Sequence, residues 1–256
     1  MAYDGSGRPR KVALTLGRRG WEQRWAIGIA VLAALVVALT LTVRNTDLLP
    51  GERSVSRWLF EQAGSPGEAV SKVLGVAIDT TGAPIMFAVM TPIVWRFWGR
   101  IAVVTFVLAG GLTAVASLID MASRPRPTEF FAFGEVVYGK GGYPSGHVIS
   151  TVLVFGILVF LLRRYAVPTR RRAALVWALA ILTVAMGPSR LVEQAHWPAD
   201  VTGGYLIGLT LLLSTIWMHD HTVPWLGQRF PRLHSLLTGD SPPGPGEGAS
   251  DQAAGL

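Results

Sequence analysis

Three short clusters of polar residues carry the chemistry of this chain. The first is Ser123-Arg124-Pro125-Arg126-Pro127, the second Tyr143-Pro144-Ser145-Gly146-His147, and the third Ser189-Arg190 with His196 and Asp200. Together they hold what transfer of a phosphoryl group to a histidine requires. Arg124, Arg126 and Arg190 offer guanidinium forks that match phosphate oxygens. Ser145 and Gly146 precede an apolar run; at the start of a helix, free N–H groups and the dipole favour an anion. Gly146 lets the backbone come close to such a ligand. His196 and Asp200 are four residues apart, and a helix starting near Pro198 brings the carboxylate within reach of one imidazole nitrogen. The other nitrogen is then free to attack phosphorus. His147 is a second imidazole, suited to protonating a leaving alkoxide.

Each cluster alone has a plainer reading: a basic loop at a membrane edge, a turn with a helix cap, a hydrogen-bonded structural pair. A metal site on His147, His196 and Asp200 is a further alternative. Three arginines in the adjoining motifs repel a cation and weigh against it. The case for chemistry rests on the three motifs acting together, so the elements that bring them together matter.

Those elements are membrane spans. Of the 256 residues half are apolar and only 15% are charged, against about a quarter in a soluble chain. Crossing a hydrocarbon core takes roughly 20 apolar residues in a helix. Six runs free of Asp, Glu, Lys and Arg approach that: Trp25 to Val43, Thr80 to Trp95, Ile101 to Ile119, Gly141 to Leu162, Ala173 to Ser189, and Val201 to Met218. Pro84 and Pro92 make a kink in the second run an expectation. The first run exceeds a signal-peptide core and lacks a cleavage site, so it is read as an uncleaved span. Cysteine is absent, which excludes disulfides, thiolate metal sites and a thiol nucleophile.

Charge sets the orientation. Basic residues gather before the first run (Arg8, Arg10, Lys11, Arg18, Arg19, Arg24), around the second loop (Arg96, Arg100) and in the fourth loop (Arg163, Arg164, Arg170, Arg171, Arg172). By the positive-inside rule these segments and both termini are cytoplasmic. The net charge of +7 is thereby accounted for by membrane orientation, and nucleic acid is not an expected partner. All three motifs then fall on the outer side, a convergence not used to set the topology.

The division expected is a basic segment over 1–24, a membrane domain over 25–218 and a cytoplasmic tail over 219–256. The tail from Thr238 is rich in Gly, Pro and Ser and reads as disordered. In the first outer loop Val55, Trp58, Leu59 and Gln62 fall at helical spacing, which predicts either a short interfacial helix or a solvated connector. Phe130, Phe131, Phe133, Tyr138 and Tyr143 give the third loop an aromatic character, suited to dipping into the outer leaflet or to packing on the bundle.

With order, spacing and sidedness in hand, the chain resembles the type 2 phosphatidic acid phosphatase superfamily. That family's pattern is Lys-x6-Arg-Pro, then Pro-Ser-Gly-His, then Ser-Arg-x5-His-x3-Asp. The second motif matches at Pro144 to His147, and the third at Ser189, Arg190, His196 and Asp200. The first matches at Arg126-Pro127, preceded by Arg124-Pro125 as in bacterial members. The resemblance implies an all-α, six-transmembrane-helix bundle. It also implies a phosphohistidine on His196 oriented by Asp200, and His147 as general acid. Arg126, Ser145, Gly146 and Arg190 become phosphate binders, with neither metal nor other cofactor.

One position departs from the pattern. The family lysine falls at position 119, where this chain has Ile119. Lys140, in Gly139-Lys140-Gly141-Gly142, and Arg124 are the nearest cations able to take its place. The partners expected are the bilayer and a lipid phosphate or diphosphate at the outer face of the cell membrane, polyprenyl diphosphate first, phosphatidic acid or phosphatidylglycerol phosphate next. A vanadium haloperoxidase has a similar site but is soluble, so the six runs oppose that reading. A lipid-phosphate-binding protein that turns over weakly for want of the lysine is the remaining alternative.

Overall fold

The computed structural model describes residues 15–46, 48–77, 82–118, 121, 122, 124, 126, 127 and 142–238. Among these residues the regular structure is entirely helical. In chain order the helices are α1 (Thr15–Arg44), α2 (Glu52–Ala77), α3 (Gly82–Leu118), α4 (Gly146–Tyr165), α5 (Arg170–Val192), α6 (Pro198–Arg229) and α7 (Pro231–Thr238). Within α1, α3, α4, α5 and α6 lie five stretches long and apolar enough to cross a membrane. Ile119, Ser123, Pro125, Lys140, the aromatic residues 130, 131, 133 and 138, and the tail from 239 lie outside the described residues.

The second and third apolar runs both lie in α3, but the backbone breaks inside it. Gly99 has φ 80° and ψ −175°, a conformation that side chains with a Cβ rarely adopt. The Phe87 and Phe106 rings lie 4.8 Å apart, and a Cβ on Gly110 would meet the Phe87 ring at 2.5 Å. A straight helix would hold residues 87 and 106 about 28 Å apart. The chain therefore folds back at Gly99, and α3 is a helical hairpin. Pro92, where a kink is expected, keeps helical backbone angles, and the break in those angles comes at Gly99.

At the centre stands α4, packed against α3, α5 and α6. Val154, Ile157, Leu158 and Leu161 form one core cluster with Val94, Phe106 and Ala109 of α3. Contact with α6 depends on missing side chains. A Cβ on Gly204 would stand 2.9 Å from the Ser145 carbonyl oxygen, and one on Gly208 2.8 Å from Val152. These glycines thus serve packing within the chain. The outer helices show the reverse pattern: Ile27, Val31 and Leu41 on α1 and Trp177, Ile181 and Val184 on α5 are exposed, as hydrocarbon-facing surfaces are.

α2 is longer than the short helix expected in the first loop, and it breaks at Gly64 (φ 55°, ψ −172°). It packs chiefly on α5. Leu59 and Leu74, one on each side of the break, meet the cluster of Val148, Met186 and Val201, while Val55 and Trp58 face outward. Helix α6 continues to Arg229, so the segment after Met218 begins as helix.

Candidate active site

Backbone bonds bring the three motifs to one end of the bundle. The Met121 N–H donates to the Tyr143 carbonyl, and the Gly142 N–H to the Arg124 carbonyl at 2.9 Å, so the first two motifs run side by side. The Ser145 N–H donates to the Asp200 carbonyl at 3.0 Å, which joins the second motif to the third. Tyr143 is 1% exposed and its hydroxyl lies 3.0 Å from Thr40 Oγ1 on α1. It is a core residue, packed with Val43 and Ala199, and takes no part in an outward aromatic surface.

The path from Arg190 to His196 is a helix C-cap. Gln194 adopts φ 54°, the Gln194 N–H donates to the Leu191 carbonyl, and the Ala195 N–H donates to the Arg190 carbonyl. This pair of bonds around a left-handed residue is a Schellman motif, and glycine is its usual occupant. It ends α5 and reverses the chain, so the five-residue spacing delivers His196 to the start of α6.

His196 is 3% exposed. Its Nδ1 lies 2.8 Å from the Gly142 carbonyl oxygen. A carbonyl only accepts, so Nδ1 carries the proton and Nε2 keeps its lone pair. Asp200, expected to make this contact, stands further off, with Oδ2 3.7 Å from Nδ1. The reason is local. Asp200 is the third residue of α6, and its Oδ2 turns back to accept the Trp197 N–H at 2.8 Å. Its Oδ1 accepts from Arg124 Nη1 at 3.0 Å.

Arg124 is thus directed at carboxylates. Besides Asp200 it is bonded to Glu52, through Nη1 to Oε1 at 3.2 Å and through Nη2 to Oε2. Burial acts to lower its pKa, but the bonds to Glu52 and Asp200 outweigh that and raise it above the ordinary value. Its charge is fixed at any working pH. Arg190 is 2% exposed; it donates to the Ser71 carbonyl of α2 at 2.9 Å and pairs with Glu193 at 2.9 Å. Ser145 is fully buried, and its hydroxyl has no hydrogen-bond partner among the described residues. Gly146 and His147 open α4, half-buried, and Arg126 is half-buried in the first motif. Lys140 lies outside the described residues. Among those residues no three His, Asp or Glu side chains are grouped to hold a metal ion.

Two participants were missed from sequence. Gly142 stands in the sequence only as a neighbour of Lys140, yet its N–H and carbonyl join all three motifs. Glu52 belongs to no motif. Its signal was an acid immediately after Pro50-Gly51, in a chain with few charges.

The geometry agrees with what comparison finds. A family model described as the PAP2 superfamily matches residues 98–223. Phosphatidylglycerophosphatase B of Bacillus subtilis (strain 168) is 27% identical over 96 residues, which are 37% of this chain and 45% of that protein. The chain thus aligns with less than half the length of this curated relative. In fold it is similar to the crystal structure of the first transmembrane PAP2 type phosphatidylglycerolphosphate phosphatase from Bacillus subtilis. The TM-score is 0.56 at 16% identity, covering 75% of this chain and 96% of that one. With its motifs gathered at one end of an all-helical, multi-pass bundle, the chain matches the PAP2 superfamily across residues 98–223, just under half its length.

Proposed function

We propose that this chain is a membrane phosphatase that hydrolyses a glycerophospholipid phosphate, phosphatidylglycerol phosphate or phosphatidic acid, at the outer membrane face through a phosphohistidine on His196. The observation that carries the reading is the 2.8 Å contact between His196 Nδ1 and the Gly142 carbonyl, which leaves Nε2 as the nucleophile where the three motifs meet. The substrate expected first, polyprenyl diphosphate, gives way to its alternative, because the similar proteins named above are phosphatidylglycerophosphate phosphatases.

In the first step Nε2 attacks phosphorus, the bond from phosphorus to the lipid oxygen breaks, and His147 gives that oxygen its proton. In the second, water attacks the phosphohistidine and gives a proton to His147. The phosphorus–nitrogen bond breaks, leaving the lipid alcohol and inorganic phosphate. Arg126, Arg190, the Ser145 hydroxyl and the backbone at Gly146 hold the phosphoryl oxygens, where charge persists in the transition state. Asp200 faces the Nδ1 side of the ring as it gains charge. Lys140 supplies part of the charge of the lysine replaced by Ile119.

The hairpin at Gly99 supports counting α3 as two crossings, which gives a six-helix bundle. The arginines at the α4–α5 turn, Arg163, Arg164 and Arg170 to Arg172, lie at the far end of α4 from the motifs. That separation, about 30 Å along a 20-residue helix, supports an outward site with cytoplasmic termini. Release of phosphate by purified protein from a panel of phosphatidylglycerol phosphate, phosphatidic acid and polyprenyl diphosphate tests the reading. Release that required a divalent metal, or none from any lipid, would overturn it.

A further inference from the structure

Glu52 is an acid that no motif includes, yet it is 5% exposed at the end of the bundle where the motifs meet. It enters by a built turn. Gly51 has φ 87°, and the Glu52 N–H donates to the Leu49 carbonyl at 3.2 Å. This turn points the side chain inward. Both carboxylate oxygens are then fully used. Oε1 accepts the Ala199 N–H at 2.9 Å and Arg124 Nη1 at 3.2 Å. Oε2 accepts the Leu49 N–H at 2.7 Å and Arg124 Nη2. Four donors match the four lone-pair positions of an ionised carboxylate.

The donors come from three separate places: the turn before α2, the first motif, and the N-terminus of α6. Ala199 is the second residue of α6, and Asp200 is the third. One carboxylate therefore holds both the arginine that pairs with Asp200 and the backbone that carries Asp200. The Asp200 carbonyl in turn accepts from Ser145, whose neighbour by two residues is His147. A helix cap alone needs one acceptor and one segment; Glu52 ties three.

We propose that Glu52 is a positioning residue for phosphoryl transfer. It keeps Arg124 on Asp200 and fixes the start of α6, so that Asp200 and His196 hold their places through both steps. It touches neither the phosphate nor the reacting nitrogen, and its loss acts on turnover rather than on substrate binding. The two carboxylates and one guanidinium carry a net negative charge, which favours the ring when Nε2 is phosphorylated and the imidazole turns cationic. This proposal rests on the phosphatase reading above.

The test is steady-state kinetics of wild type, Glu52→Gln and Glu52→Asp in detergent or liposomes, with backbone amide exchange over 197–201 measured on the same samples. Glu52→Gln keeps shape and one acceptor but loses the charge. Its kcat is expected to fall by about tenfold or more, as small misplacements of reacting groups do. KM should stay within about twofold of wild type, since no substrate contact is removed. Glu52→Asp, which restores the charge on a shorter stem, should recover part of kcat. A Glu52→Gln protein with wild-type kcat overturns the proposal, and so does one in which kcat and KM worsen together with a lower melting temperature. If the wild-type protein releases phosphate from no lipid, the phosphatase reading has failed by itself. Exchange over 197–201 then decides for Glu52: faster exchange in Glu52→Gln upholds its hold on α6, and unchanged exchange overturns it.

Discussion

The Gly142 carbonyl oxygen lies 2.8 Å from Nδ1 of His196, nearer than either oxygen of Asp200. A main-chain atom thus assigns the tautomer of the candidate nucleophile, and the carboxylate four residues on takes a different post at the head of α6. That division makes His196 separable from Asp200 by mutation. His196→Ala is expected to lower phosphate release by about a thousandfold or more, as loss of a nucleophile does. Isotope from labelled substrate should be trapped on the wild-type protein as an acid-labile, base-stable adduct and be absent from the variant. Trapping on the variant would place the covalent step elsewhere.

Arg124 distinguishes a phosphate ligand from a structural cation. Its removal leaves Glu52 and Asp200 buried together with no cation between them among the described residues. Arg124→Ala is expected to destabilise the protein by about 3–5 kcal/mol, the usual result of breaking a buried pair. Thermal unfolding of the detergent-solubilised protein measures it. An unchanged melting temperature with a raised KM would assign Arg124 to the substrate.

Helix contact at the site depends on Gly204. A Cβ there meets the Ser145 carbonyl oxygen at 2.9 Å, a main-chain atom that cannot swing aside. Gly204→Ala is expected to cost about 1–3 kcal/mol and to reduce turnover by displacing Ser145. Gly111→Ala, where nothing lies within 4 Å, is the control. Its stability should stay within about 1 kcal/mol of wild type.

Orientation is testable because the chain has no cysteine. Single cysteines at Ser65, Gly134 and Thr169 should react with an impermeant maleimide in intact cells at the first two positions and not at the third. Labelling of Thr169 without Gly134 would invert the topology.

For the lysine that Ile119 replaces, Lys140→Ala should lower kcat by about tenfold, less than the full loss of one transition-state donor. Adding Ile119→Lys to that variant should restore part of it. Unchanged kinetics in Lys140→Ala would overturn Lys140 as the substitute for that lysine.

Periodicity and charge made the helices legible: the first, fourth, fifth and sixth apolar runs reappear in α1, α4, α5 and α6 with shifted ends. The ends shifted because polar residues such as Arg170 and Asp200 join helices that a run of apolar letters stops short of. The second and third runs were also legible, but their junction was not. It turns on the backbone of Gly99, and a lone glycine between two arginine-bearing segments does not announce a reversal. In the site, His196, Asp200, Ser145 and Arg124 came together as motif spacing allows. What spacing could not reveal was the partner of each. Gly142 acts through its carbonyl, which every residue has, and Glu52 is 72 positions from Arg124, beyond any local pattern.

Arg190 already holds an anion. Glu193 sits on one arm of its guanidinium and the Ser71 carbonyl on another, at a depth where only 2% of the residue meets solvent. A ligand that binds there does not meet a hydrated cation. It meets a guanidinium whose charge Glu193 already offsets, with two of its five N–H groups left to donate once Ser189, Glu193 and Ser71 are served among the described residues. Its pull on a further anion is weaker than that of a bare arginine, which works against retention of the inorganic phosphate that the proposed reaction leaves.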